Sequence, residues 1–569
     1  MSHETEATPG RRRLGGWGFE HRAFPPSGEL LAWLERRLGP PGHPVPPFDP
    51  ERALAGFGSG RGRTSRALPD PADLGAGTSF DPLDRLAHSR GQGLTDLLRL
   101  RTGTVPALPD AVVRPADDRE LERLLRTASR ESLRIIPWGG GTSVTGGVNL
   151  SPGDAPVLTV DLEHLAGLET FDAVSGLATF GAGTAGPAIE AALAARRDGA
   201  GRGFTLGHFP QSWELSTLGG WAATRASGQE SLAYGSIQEM VAGLELVAPA
   251  GRLRLPALPA SAAGPDLRQL VLGSEGRLGI ITRATVRVRR RPEALRVVGT
   301  LMPTWEDGLE ASRTLLQEGI PLQLLRLSDG PETEVALAVG LAGRSWARPL
   351  LGAWLRLRGV RAPRGMGCLM LLGAVGPLPR IDEVLERAGA VLRRHGGVSL
   401  GTAPGRTWLR DRFRHPYLRD ALLDRGLATD TLETAAPWSR LPALARSVRR
   451  AVETALEAED EKVAVLCHVS HPYRDGSSLY FTLFFRSAAD PEATVERWAR
   501  VKRAATEAIV AGGGTLSHHH GIGAWHAPWY AREAGEKGVE LVARAAGALD
   551  PAGVLDPGVL LDPTDRLTR

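Results

Sequence analysis

Residues 136–147 read IPWGGGTSVTGG: a short apolar run, three consecutive glycines, then hydroxyl residues and two more glycines. This pattern predicts a strand that feeds a tight backbone turn. Gly139, Gly140 and Gly141 carry no Cβ, so the chain there can come close to a ligand. Successive N–H groups in such a turn form a concave anion site suited to a pyrophosphate, and Thr142 and Ser143 add hydroxyl donors. The spacing is neither G-x-G-x-x-G nor G-x-x-x-x-G-K-[ST], so neither the Rossmann fingerprint nor a P-loop is indicated. Taken alone, a triple glycine is more readily a structural turn, and its neighbours have to decide.

Upstream, PDAVVRPADDRELERLLRTASRESLRI predicts strand, helix and strand; downstream, 155–165 and 175–199 repeat the strand-then-helix rhythm. Two more segments of the same kind follow. GHFPQSWELSTLGGWAATRASG (207–228) is dense in small and hydroxyl residues, and GSEGRLGIIT (273–282) is a second glycine turn leading into a strand. Together they suggest backbone wrapped closely around a large flat ligand.

The chain has 569 residues, too many for one hydrophobic core, so two or more domains are expected. Its net charge is +4, and no basic block extends beyond Arg11, Arg12 and Arg13, which argues against a nucleic-acid surface. The two cysteines, Cys368 and Cys467, make neither a disulfide framework nor a cysteine zinc site. No apolar run reaches the ~20 residues of a membrane span, and MSHETEATPGRRR has no secretory h-region. A cytoplasmic location is expected, compatible with contact at the inner face of a membrane. Ser27 is expected to cap a helix burying Leu30, Leu31, Trp33 and Leu34, and residues 58–79 to form a mobile loop. An arm over 1–104, a nucleotide-type domain over 105–292, a second domain over 293–500 and a helical segment over 501–569 complete the expected organisation.

These segments resemble the vanillyl-alcohol oxidase (p-cresol methylhydroxylase) superfamily of flavoproteins, and within it the alkyldihydroxyacetonephosphate synthase family. The likeness extends to GGWGF near 15, DRLAHSRGQGLTDLLRLRTG near 84, YGSIQEMV, ETAAPW at 433 and GGTLSHHHGIG. The resemblance implies an α+β, two-lobed flavoprotein with a cap domain over a non-covalent FAD. Pro137, Trp138, Gly139, Gly140, Gly141, Thr142 and Ser143 match the pyrophosphate loop. Gln211, Ser212, Ser216 and Thr217, then Thr224, Arg225, Ala226 and Ser227, match further flavin contacts. So do Glu275, Gly276, Arg277, Leu278, Gly279, Ile280 and Ile281. The sequence departs from the family in having Gln211 for an acidic residue and Arg277 for a threonine, the latter adding bulk in a backbone-contact loop.

LSHHHGIG (516–523) raises the question of a metal. Superfamily relatives that oxidise 2-hydroxy acids carry H-x-x-D-G-N-x-H and E-H-G-I-G, whose imidazoles and carboxylate hold a divalent ion. Here His468 and Asp475-Gly476 align, but Tyr480 stands near the second histidine and His519 replaces the glutamate. The set has lost a carboxylate and an imidazole, and histidines on an extended chain alternate in direction. No metal is expected. The resemblance instead puts Tyr480 and the run His518, His519, His520 beside flavin and substrate ketone, with His519 or His520 as the proton carrier, a task an imidazole suits. It also assigns Arg326 and Arg419 to a substrate phosphate, which a guanidinium fork fits, and gives His208 a functional role.

The implied activity is exchange of the acyl group of acyl-dihydroxyacetone phosphate for a fatty alcohol, the flavin acting as a covalent electron sink with no net electron transfer. Lipid substrates are the expected partners, and a homodimer is compatible with the reading. An FAD-linked oxidase or dehydrogenase of a small alcohol or 2-hydroxy acid is the first alternative, and a non-catalytic flavin-binding protein the second.

Overall fold

The computed structural model describes residues 10–55, 68–151, 153, 155–340, 353, 367–555 and 558–568; residues 58–67 of the expected loop lie outside this set. Strands Ala111–Val113, Val157–Asp161 and Arg134–Trp138 run parallel, with the short Thr78–Ser79 antiparallel at one edge. The middle strand is buried along its whole length, as a parallel strand covered on both faces should be. The crossover helix Asp118–Glu131 is capped by the Asp117 side chain, which accepts from the Glu120 N–H at 2.8 Å. Leu121, Leu124, Leu125 and Ala128 recur at helical spacing and are all buried. A second, antiparallel sheet orders Leu168–Asp172, Leu177–Gly181, Ile280–Arg287, Val241–Ala248 and Gly251–Leu255. Ile135, Leu158, Phe180, Leu244 and Ala284 join the two sheets in one core.

The second half is built on a seven-stranded antiparallel sheet. Its order is Val398–Gly401, Ala294–Met302, Cys368–Gly376, Leu324–Ser328, Ala464–Pro472, Gly476–Arg486 and Leu427–Pro437. Helices Trp305–Gln317, Leu378–Arg394, Leu441–Thr454 and Pro491–Ala511 contribute to the core that includes Leu325, Leu372, Val465 and Phe481. Alternation then turns the other set of side chains toward the first half of the molecule. The register places Glu433 opposite Tyr480, and Tyr480 opposite His468, so these three share one face.

Helix Pro491–Ala511 spans the expected boundary at 500. It stops at Gly512–Gly514, where Gly513 takes φ +69°, a conformation that favours glycine. The chain then passes through LSHHHGIG before the last helix, Ala527–Leu549. The N-terminal helix Gly28–Leu38 is capped by Ser27 and buries Leu30, Trp33 and Leu34, with Leu31 half-buried, against Leu427, Leu466 and Phe484. Among the described residues, no helix is long and apolar enough to cross a membrane.

Candidate active site

One cavity of about 990 Å³ lies between the glycine turns of the first half and the seven-stranded sheet. All seven residues Pro137 to Ser143 line it, as do Gln211, Ser212, Ser216, Thr217, Thr224, Ala226, Ser227, Glu275, Gly276, Gly279, Ile280 and Ile281. Three residues of the expected flavin set do not. Leu278 is fully buried in the core, the Arg225 guanidinium donates to the Leu272 and Gln269 carbonyls, and Arg277 donates to the Leu555 carbonyl. Arg277 therefore ties the turn to the C-terminal segment instead of adding bulk against the ligand.

The cradle suits an anion. Among the described residues, no protein group accepts from the N–H of Gly140, Gly141, Thr142 or Ser143, on a wall of the cavity. Buried donors without acceptors are costly, so a run of four on a cavity wall marks a place for an acceptor-rich group such as a pyrophosphate. The space where Gly140 would carry a Cβ is filled by the Leu215 carbonyl, 2.1 Å away. The glycine is thus demanded by the packing of one cradle segment on the other. Arg12, from the N-terminal arm, donates to the Gly140 carbonyl at 2.5 Å and fixes the loop from outside, a contact with no motif to announce it.

On the cap side the cavity meets Arg326, His468, Ser470, His471, Tyr480, Thr482, His519 and His520. Burial pushes the Tyr480 hydroxyl up to about 12, so it keeps its proton at neutral pH. Its ring lies 6.0 Å from that of His519 and 5.8 Å from that of His520. His518 faces away from the cavity, its Nε2 2.7 Å from the Tyr473 hydroxyl. His208 does not line the cavity either. It is 1% exposed against Trp221, and burial takes its imidazole down to about 3.

The histidine loop is not extended, contrary to the expectation of alternating side chains. It bends around the buried carboxylate of Glu433, whose Oε1 accepts from Ser517 Oγ at 2.8 Å and from the N–H groups of His518, His519 and His520 at 3.1, 2.8 and 2.7 Å. Glu433 Oε2 meets His519 Nδ1. Burial raises this carboxyl, but the imidazoles of His519 and His520 outweigh it and hold the group well below the usual carboxylate range. A second carboxylate, Glu275 of the flavin-side turn, accepts from Ile522 and Gly523 N–H at 2.7 Å each, and burial lifts it to about 7. The loop is therefore pinned from both halves of the protein.

The missing carboxylate of the metal argument is thus present, supplied by another strand. Donor atoms of Glu433, His519 and His520, and of His471, His518 and His519, lie within 4.8 Å of one another. Glu433 uses Oε1 inside the protein, where four donors fill it, while Oε2 lies against the His519 imidazole and accepts no hydrogen bond. Burial lowers His518 to about 3 and His520 to about 4, so both are neutral at physiological pH.

Arg326 and Arg419 both reach the cavity, in different states. Arg326 is paired with Glu332 at 2.6 Å and lies 3.0 Å from His468 Nδ1. Arg419 donates to the Gln92 carbonyl and bears on Tyr480 through its charge. Beyond them the walls turn apolar, with Leu30, Val335, Leu400, Trp408, Leu466 and Phe484.

A glycine-lined cradle facing a set of tyrosine, histidines and arginines across one cavity defines an FAD-linked oxidase-type flavoprotein. In agreement, residues 109–255 match the family described as FAD binding domain and 291–560 that of FAD linked oxidases, C-terminal domain. The chain belongs to the alkyldihydroxyacetonephosphate synthase family. It is 33% identical to the alkyldihydroxyacetonephosphate synthase of Trypanosoma brucei brucei, over 83% of this chain and 76% of the relative. A solved alkyldihydroxyacetonephosphate synthase superposes with TM-score 0.77 at 26% identity, covering 96% of this chain and 98% of that one. A solved p-cresol methylhydroxylase superposes with TM-score 0.61 at 12% identity, over 96% of this chain and 99% of that one, which shows the shared fold.

Proposed function

We propose that this protein is an FAD-dependent ether-lipid synthase that exchanges the acyl group of acyl-dihydroxyacetone phosphate for a long-chain alcohol. One observation carries the reading: a single cavity joins the pyrophosphate cradle, the Tyr480–histidine pair, two arginines and an apolar wall. FAD, when bound, supplies an electron-accepting ring that lets acyl and alkyl groups exchange without net oxidation. Gly140 to Ser143 would hold its pyrophosphate. The apolar wall would house hydrocarbon and keep water from the reacting carbon. A histidine at the cavity takes a proton from the carbon next to the ketone, and the protonated Tyr480 donates to the oxygen that gains charge.

Arg419 is the better phosphate anchor, because it donates to the Gln92 carbonyl while Arg326 is already neutralised by Glu332. A charge-assisted bond is worth ~1.5–3 kcal/mol, so Arg419→Ala should raise KM for phosphorylated substrate by roughly 10- to 150-fold. Arg419→Lys should recover only part of this, since the fork is lost. Arg326→Ala should cost less. Equal KM values for wild type and both alanine variants would remove the arginines from phosphate binding.

The dehydrogenase alternative is tested directly. Anaerobic addition of small 2-hydroxy acids should leave the oxidised flavin spectrum unchanged, and chelation should leave exchange activity intact. Bleaching by a hydroxy acid, or activity lost to a chelator and restored by zinc or manganese, would turn the reading to a metal-assisted dehydrogenase.

A further inference from the structure

We infer that Glu433 is the positioning residue that makes His519, rather than His518 or His520, the base of the reaction. The inference rests on the acid–base reading above and deepens it. Glu433 Oε2 faces His519 Nδ1, whereas His520 Nδ1 lies 3.5 Å from the already filled Oε1. His519 Nδ1 is also 2.9 Å from His518 Nδ1. A carboxylate ion cannot donate, so the proton between Glu433 and His519 belongs to Nδ1 of His519. His518 Nδ1 then accepts from the same N–H, and His518 Nε2–H donates to the Tyr473 hydroxyl at 2.7 Å. The contact at Oε2 is one of charge, since that oxygen accepts no hydrogen bond, and the assignment leaves Nε2 of His519, a residue of the cavity wall, unprotonated.

The chemistry balances as a proton transfer. Nε2 takes a proton from the substrate carbon, the electron pair stays with the substrate, and the imidazolium formed is offset by the Glu433 carboxylate beside Nδ1. The same carboxylate collects the N–H groups of His518, His519 and His520, so ring and backbone are fixed by one side chain. Other titratable groups bear on His519: His208, His468 and His471 by charge, His518 and His520 along its own loop, and Tyr480 across the cavity. Among them only Glu433 is an anion at neutral pH.

The test is Glu433→Gln in the full-length, FAD-loaded enzyme, alone and combined with His519→Ala. Without the carboxylate the imidazolium formed at His519 loses the charge that offsets it, so the acid limb of the kcat profile should move to lower pH. The kcat should fall by about 10²-fold or more with KM little changed, and Glu433→Gln should add nothing to His519→Ala. An unmoved acid limb, or losses that multiply in the double variant, would overturn the assignment. If Glu433→Gln does not hold flavin, Glu433→Asp decides: its charge is kept, so kcat falls while the limb stays. A limb displaced as far as expected for glutamine would refute the inference. Should His519→Ala keep wild-type kcat, the acid–base reading itself fails and this one with it. Should His519→Ala collapse while Glu433→Gln does not, only the positioning role is lost.

Discussion

Tyr480→Phe and His519→Ala are each expected to lose about 10²- to 10⁴-fold in turnover while keeping a full complement of flavin. The phenylalanine variant deletes one hydroxyl from a ring packed between His468, at 5.0 Å, and His519, at 6.0 Å. Its shape is unchanged, so the fold and the FAD cradle on the opposite wall should be indifferent to it. Because burial holds that hydroxyl up to about 12, it is protonated over the whole working range. Losing it should therefore depress kcat evenly across neutral pH. The histidine variant removes the imidazole that faces Glu433 and should alter the pH profile as well. Single-turnover assays normalised to bound flavin check both. Variants with wild-type turnover would leave the tyrosine and the histidine as packing.

Gly140→Val is expected to weaken FAD binding severely, for a reason that lies in the scaffold. A Cβ there would sit 2.1 Å from the Leu215 oxygen and 2.8 Å from both the Leu215 carbonyl carbon and Ser216 Cα. All are backbone atoms that cannot turn aside. Forcing the two segments apart costs roughly 1–3 kcal/mol or more and moves the N–H groups of Gly140 to Ser143 off their common focus. Since about 1.4 kcal/mol is tenfold in affinity, affinity for FAD should fall by roughly 5- to 150-fold or more, and even Gly140→Ala should act in the same direction. The ratio of flavin to protein absorbance after reconstitution with FAD measures this. A valine variant that binds FAD normally would mean that this seam does not shape the cradle.

Much of this was legible in the sequence because its signals are local. The run IIPW followed by three glycines specifies a strand and a tight turn without reference to anything distant, and that turn lines the cavity. The Ser27 cap and the apolar spacing after it likewise gave the N-terminal helix. What escaped depends on pairing across the chain. Glu433 opens ETAAPW, a segment of the family likeness that gave the glutamate no role, and its importance comes from a register that sets it opposite Tyr480 and from a loop more than eighty positions later. The carboxylate nearest the imidazoles likewise lies outside the histidine motif, on another strand. Arg277 matched the flavin turn by position, yet its side chain reaches Leu555. A motif fixes where the backbone goes, and the direction of a long side chain is settled by partners the motif does not contain.

The most direct measurement is an anaerobic incubation of the purified, FAD-loaded protein with palmitoyl-dihydroxyacetone phosphate and hexadecanol, with both products quantified. The account predicts hexadecyl-dihydroxyacetone phosphate and palmitate in equal amounts over many turnovers, with no external electron acceptor and the flavin oxidised at the end. Flavin left reduced after one equivalent, or palmitate released without any ether product, would contradict it.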